Sequence, residues 1–353
     1  MAKKKIDLKK FTLPLIETEE EIENIMTTPS EELIKTLSKI DGDIIVLGCA
    51  GKMGPTMTKL AKRAIDEGGL KKRVMGIDRN IAPQFKKDFK KLGIDFFECD
   101  MLDKKSFDAL PNVENVIYMA GMKFGSSASI SLTWALNTYL PTVVAQKYRD
   151  SRITVFSSGN IYHLTPVLHG GADENTPPNP FGDYAQSVLG RERMFEYFSI
   201  KNNTKVTIAR LCYAVDLRYG ILLDVAQKVK AKIPIDLTMG SVNVIWQGDA
   251  NEQILRTLSI ASTPATVINI TGPETISIRW LAERFGELMN IEPIFVGEEA
   301  STALVFNASK AHGIFGYPKV PLEQIIQWVA YWVLIGGKTL NKPTHFETRD
   351  GKF

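Results

Sequence analysis

The stretch Gly48-Cys49-Ala50-Gly51-Lys52-Met53-Gly54 decides the fold. Ile44-Ile45-Val46-Leu47 runs into it with no polar alternation, as a central parallel strand covered on both faces does. Pro55 follows where the first turn of a helix tolerates it. Met57, Leu60, Ala61, Ala64 and Ile65 then recur at helical spacing until Gly68-Gly69. Glycines at such a strand–turn–helix junction let the backbone bend sharply and come close to a pyrophosphate resting on the helix N-terminal amides. The stretch therefore predicts a dinucleotide site that includes Gly48, Gly51, Lys52, Met53 and Gly54.

The alternation continues downstream. Val74–Ile77, Phe96–Cys99, Val116–Met119, Ile153–Phe156, Val206–Ala209 and Val267–Ile270 read as further strands, with helical segments between most of them. The expected class is α/β, a doubly wound parallel, Rossmann-like sheet with a smaller C-terminal substrate-binding portion. The expected divisions are a helical N-terminal extension (1–41), a dinucleotide-binding part (42–210), a substrate-binding part interleaved with the sheet (211–335) and a polar tail (336–353). In the extension, Thr18 with Glu21 and the run Thr28-Pro29-Ser30-Glu31 both read as capping boxes, ahead of an apolar stripe at Leu33, Ile34, Leu37 and Ile40. A helical cover or an oligomer contact accounts for it. The tail, with His345, Glu347, Arg349 and Asp350, is too polar to join the core and is expected either to stay disordered or to fold over a neighbour's site.

Composition narrows the function classes. With 44% hydrophobic and 24% charged residues over 353, the chain is an ordinary globular protein, and a net charge of +3 makes no case for nucleic acid. Cys49, Cys99 and Cys212 are scattered beside apolar strands and fit reduced, buried thiols better than disulfides or a metal site. Trp328–Ile335 is too short to span a bilayer and reads as a buried helix. A cytoplasmic protein, a homo-oligomer and most simply a dimer, without membrane or metal, is the expectation.

In doubly wound sheets ligands sit beyond the carboxyl ends of the strands. Asp78 closes the second strand, where a carboxylate receives ribose hydroxyls and repels a 2′-phosphate. That favours NAD over NADP, although Arg79 next to it could pair with a phosphate, and a turn-starting Asp is the alternative. Asp100 and Met101 end the third strand, suited to the adenine amino group and ring, or to a turn. Ala120 and Gly121 after the fourth are small enough for a cofactor to pass, and Lys123 follows. The fifth strand runs into Ser157-Ser158-Gly159-Asn160-Ile161-Tyr162, and Tyr184 opens a later helix. A serine at a strand end and a tyrosine at a helix start can converge on one carbonyl, the first holding its oxygen and the second exchanging a proton.

These motifs together resemble an extended short-chain dehydrogenase/reductase of the NAD-dependent epimerase/dehydratase family, over about residues 42–333. The resemblance implies that Ser158 is the catalytic serine and Tyr184 the catalytic tyrosine. Ala120-Gly121-Met122-Lys123 resembles the Ala-Gly-x-Lys of UDP-galactose epimerases, which puts Lys123 near the cofactor and makes it a candidate catalytic helper. Leu211 joins the expected cofactor contacts. Ser126, Asn160, His163 and Trp246 are the expected substrate contacts, with a core position the competing account of Trp246 and a loop position that of His163.

Two departures matter. The family pattern Tyr-x-x-x-Lys has Val188 in place of the lysine, which lowers the tyrosine pKa in the family and which valine cannot replace. Lys123, or Arg191 two turns along, could supply the missing charge. The chain also reads Arg210-Leu211-Cys212-Tyr213 where sugar-nucleotide members have an asparagine, and Val242 where they have a diphosphate-clamping arginine. The expected function is an NAD-dependent oxidoreductase or epimerase of a carbohydrate-like small molecule (sugar, polyol or sugar acid) without a nucleotide. The alternatives are a dinucleotide-binding protein with little turnover and a nucleotide-sugar epimerase or dehydratase.

Overall fold

The computed structural model describes residues 6–349 apart from 13, 124, 126, 127 and 343. Helices α1 (Glu19–Thr27) and α2 (Glu31–Ser38) precede β1 (Ile44–Leu47), α3 (Gly54–Glu67), β2 (Val74–Asp78), α4 (Pro83–Lys91), β3 (Asp95–Glu98), α5 (Lys104–Asp108) and β4 (Asn115–Tyr118). Next come α6 (Ile130–Trp134), a π-helical turn (Ala135–Tyr139), α7 (Leu140–Lys147), β5 (Arg152–Ser158), α8 (Gly182–Asn202) and β6 (Val206–Leu211). The chain continues through α9 (Ile221–Ala231), α10 (Gln247–Arg256), β7 (Thr266–Ile270), α11 (Ile278–Met289), α12 (Ser309–Phe315) and α13 (Leu322–Ile335).

The seven strands form one sheet in the order β7-β6-β5-β4-β1-β2-β3, with every neighbouring pair parallel. Strand order reverses around β1, where Leu47 lies beside Ile77 on one side and Tyr118 on the other. That reversal opens a crevice at the carboxyl ends. The apolar run of β1 explains its place: Ile44 and Val46 pack with α2, α3 and α10, while Ile45 and Leu47 pack with α5, α7 and α8. Residues beyond β6 add β7 to the sheet and build another core from α9, α11 and α13.

The extension is a cover. Ile22, Met26, Leu33 and Leu37 are buried, α1 and α2 both resting on α3 and α10. Thr18 and Glu21 form the reciprocal capping box. The second expected box is corrected. Ser30 caps the amide of Leu33, but an apolar residue at that third position cannot return the bond, and the Ser30 hydroxyl donates to Glu252 instead. The tail expectation is corrected too. Phe346 is buried in the α9–α13 core, the Thr344 amide and hydroxyl both donate to Asp224 Oδ2, and Arg349 donates to the carbonyls of Thr238 and Thr302. Burying one aromatic ring is worth about 1.5–3 kcal/mol, which holds a segment that is otherwise polar.

Cys49, Cys99 and Cys212 are free and buried. Among the described residues no helix is long and apolar enough to cross a membrane, and no cluster of metal-binding side chains occurs.

Candidate active site

The glycine turn is shaped by close approach. Gly48 adopts φ +99°, and a Cβ there would lie 2.7 Å from the amide nitrogen of Ala120. A Cβ on Gly54 would lie 2.5 Å from the carbonyl of Cys49. Gly51 is different: its nearest neighbour would be 3.5 Å away, so that side of the turn is open. Helix α3 follows Met53 without a side-chain cap; the Gly54 amide donates to the Gly51 carbonyl and Pro55 has no N–H, so the Thr56 amide is the one the first turn offers an anion. Asp78 accepts from the Ala50 amide at 3.0 Å with one oxygen and from the Arg79 amide at 2.8 Å with the other. Each oxygen keeps a lone pair for a ribose hydroxyl. Arg79 and Asp100 lie exposed beyond this edge, and Met101 is buried next to Asp100. A cradle that side chains would fill, a helix start without a side-chain cap and a placed carboxylate together fit a dinucleotide.

A cavity of about 230 Å³ opens at the carboxyl ends of β4, β5 and β6. Lys52 and Met53 reach it from the glycine turn, Gly121 and Lys123 from the segment after β4, and Leu211 from the end of β6. Ala120 lies buried just before Gly121. Ser158, Asn160 and Tyr184 line it as well. The Ser158 hydroxyl accepts from the Asn160 amide at 3.2 Å and lies 3.1 Å from Asn160 Oδ1. It is also hydrogen-bonded to the Tyr184 phenol, so the two hydroxyls meet. Burial raises the Tyr184 phenol above its ordinary value, while the Arg191 charge and the Ser158 bond oppose that rise. Lys123 is pushed down to about 8 by burial. Lys52 is likewise pushed down to about 8 by burial, with nearby Arg218 and Lys123 adding to the effect and Asp216 opposing it. The Lys52 ammonium crosses the cavity, donates to the Ala214 carbonyl at 3.0 Å and sits 4.5 Å from the centre of the Tyr219 ring.

Helix α8 resolves the Tyr184 face. At roughly 100° per residue, the fourth residue on is turned about 40° to one side and the seventh about 20° to the other. Val188 lies buried with Ile161, Tyr162, Cys212 and Phe306, off the cavity. Arg191 lines the cavity beside Tyr184. Its Nη1 donates to the Phe156 carbonyl and its Nη2 to Asn137 Oδ1, both at 2.7 Å. Asn137 sits on the π-helical turn, a distortion frequent at functional sites. It also accepts from the Met122 amide at 2.9 Å and donates to the Ser187 hydroxyl at 3.0 Å, fastening the segment after β4 to α8.

Not every expected residue converges. His163 is exposed and off the cavity, because the chain turns outward after Tyr162. Trp246 is 1% exposed and packs edge-on against Trp328 at 5.5 Å, so it is a core ring that cannot stack on a substrate in this cavity. Ser126 lies outside the described residues. Arg210 is buried in a pair with Glu192 and does not line the cavity. Sequence reasoning missed Asn137, Tyr213 and Tyr219, which no local motif marks.

The family model for the NAD dependent epimerase/dehydratase family matches residues 44–230. The chain belongs to that family. Members are enzymes that use NAD, and the glycine cradle with Asp78 is where this epimerase/dehydratase-type chain meets that requirement. No curated protein sequence matches the chain. Among solved structures, MoeE5 in complex with UDP-glucose and NAD is 17% identical at a TM-score of 0.66, covering 83% of this chain and 99% of its own. The Thermus thermophilus UDP-glucose 4-epimerase complex with NAD is 18% identical at 0.66, covering 82% and 98%. The Bacillus cereus UDP-glucuronic acid 4-epimerase in complex with NAD is 17% identical at 0.65, again covering 82% and 98%. At these identities the likeness is one of fold.

Proposed function

We propose that this epimerase/dehydratase-family enzyme oxidises or epimerises a carbohydrate-like small molecule at a secondary alcohol or its carbonyl. The observation that carries the reading is the meeting of the Ser158 and Tyr184 hydroxyls at the cavity wall. Bound NAD would supply the hydride acceptor and donor. Ser158, held by Asn160, would hold the substrate oxygen, and Tyr184 would take or return its proton. Gly48, Gly51 and Gly54 would admit the pyrophosphate, with Asp78 at the adenosine ribose favouring NAD over NADP. Asp100 and Met101 are assigned the adenine end, and Ala120, Gly121, Lys123 and Leu211 the nicotinamide end. In this reading residues 42–210 carry the cofactor and residues 211–335 wall the substrate end, through Tyr213 and Tyr219.

For the substrate we favour a sugar, polyol or sugar acid without a nucleotide. Val242, at the position of the clamp arginine, is fully buried, and Arg191 is the one arginine among the described residues that lines the cavity. The second reading is a nucleotide sugar, favoured by the structural likeness to UDP-sugar epimerases. Calorimetric titration of the NAD-loaded protein with UDP-glucose and with free sugars and sugar acids separates the two. Gly48→Val is expected to abolish NAD binding in the same assay, because Ala120 backbone occupies the space of a side chain and φ is left-handed. Retained NAD affinity in a folded Gly48→Val protein overturns the cradle.

We also infer a homodimer. Tyr139, Tyr197 and Ile200 are exposed on the helical side of the sheet that carries α7 and α8. Light scattering is expected to read two copies, and a monomer at micromolar concentration removes the inference.

A further inference from the structure

We propose that Arg191 is the positioning residue that lets Tyr184 ionise, taking the place of an ammonium that the chain lacks one helical turn after the tyrosine. The inference rests on Tyr184 as the proton carrier and says what makes it one.

The first observation is a buried charge whose contacts are all neutral, the face of the Tyr118 ring 5.6 Å away among them. Arg191 is 6% exposed, and its bonds end on two neutral oxygens, the Phe156 carbonyl and the Asn137 amide. Its Nε has no partner among the described residues. The adjacent carboxylate gives no relief, since Glu192 spends both oxygens on Arg210 and Ser157. Burying a cation among neutral groups is costly unless an anion arrives beside it. The second observation is room made for it. A Cβ on Gly121 would overlap Arg191 Nη2, so the chain leaves out a side chain where the guanidinium lies. The third is direction: Arg191 shares the cavity wall with Tyr184 and Ser158, whereas Val188 points into an apolar cluster.

The other titratable groups facing this space are Lys52 from the glycine turn, Lys123 from the segment after β4, and Cys212, Tyr213 and Tyr219 from beyond β6, while Tyr118 of β4, pushed up to about 12 by burial, lies against the Arg191 guanidinium itself. Burial pushes both lysines down to about 8, so they lose charge before a tyrosine begins to ionise. A guanidinium does not. Over the range in which Tyr184 loses its proton, Arg191 is the cation that remains. The O–H bond of Tyr184 breaks, its proton leaves to solvent, and the electron pair stays on the phenolate oxygen. The phenolate then takes the proton of a substrate hydroxyl while the carbinol carbon is oxidised to a carbonyl, with a nicotinamide dinucleotide as the two-electron oxidant.

The test is a titration of the protein without cofactor, its tyrosines labelled with ¹³C at the ring carbon bearing oxygen, and Tyr184→Phe identifying the resonance. In the unaltered protein Tyr184 is expected to ionise before Tyr213 and Tyr219, which burial also raises. Arg191→Met is expected to move Tyr184 upward by about one to three pH units. Its kcat should fall about 100-fold or more near neutrality, and the rising limb of the pH profile should shift the same way. Arg191→Lys should restore part of both. Tyr184 ionising with or after Tyr213 and Tyr219 in the unaltered protein, or unmoved in folded Arg191→Met, overturns the proposal. Turnover that survives Tyr184→Phe counts against the proton role of Tyr184 alone, because the titration reads the Arg191 effect without any turnover.

Discussion

Tyr184→Phe is expected to lower kcat by about 10²–10⁴-fold, the usual range for losing a positioned acid–base group, while NAD affinity stays where it was. The reasoning is geometric. The phenol meets the Ser158 hydroxyl at the cavity wall, and its ring packs against the apolar cluster that contains Val188, Cys212 and Phe306, a contact that phenylalanine keeps. Only the hydroxyl is lost. Since that group acts when the proton moves, kcat and kcat/KM should fall together with little change in KM. Steady-state kinetics on whichever sugar the titrations identify, beside NAD titration of the same variant, give the answer. A variant that keeps its kcat removes the tyrosine from the proposed chemistry.

Glu192→Ala is expected to cost about 3–5 kcal/mol of stability, the most of any single change proposed for this chain. Glu192 is fully buried and accepts from Arg210 Nε at 3.0 Å, from Arg210 Nη2 at 2.8 Å and from the Ser157 hydroxyl. Arg210 Nη1 in turn donates to the Tyr162 hydroxyl at 2.7 Å, which donates to Asn269 at 2.9 Å. One carboxylate therefore ties α8 to β5, β6 and β7. Its removal leaves a buried guanidinium without two of its three hydrogen bonds, and stranded donors are the expensive outcome. Urea unfolding should show a lower midpoint with an unchanged slope. Glu192→Gln keeps the shape and should lose less. An unaltered midpoint in Glu192→Ala would mean that water replaces the carboxylate at no cost.

Much of this molecule was legible because parallel strands buried on both faces must be apolar throughout. Ile44–Leu47 could be bounded from residue type alone, and the other strands to within one or two residues. Strand-end positions such as Asp78 and Ser158 followed from topology. The active-site face of α8 was harder. Position 188 is one turn from Tyr184 and position 191 two turns, and both can share a face with it. What separates them is the apolar cluster that takes Val188 and the Phe156 carbonyl that takes Arg191, neither of which is local. Trp246 took the core position and His163 the loop position that competed with a substrate contact, because an aromatic near a strand end and a histidine on a loop carry no sign of which way they point. The tail misled because one phenylalanine among polar residues shows no periodicity, although a single pocket between helices suffices to hold it.

The core around that pocket has a consequence for how the molecule comes into being. Phe11, Ile16, Ile22 and Met26 pack with residues from 215–346, Phe346 among them. During synthesis these four side chains emerge long before the partners they share that core with, although α3 is made soon after α1. The part of their surface that packs beyond residue 215 is bare throughout that interval, the circumstance in which newly made chains clump. The acidic run Glu19-Glu20-Glu21 at the start of α1 keeps its outer side charged during the wait.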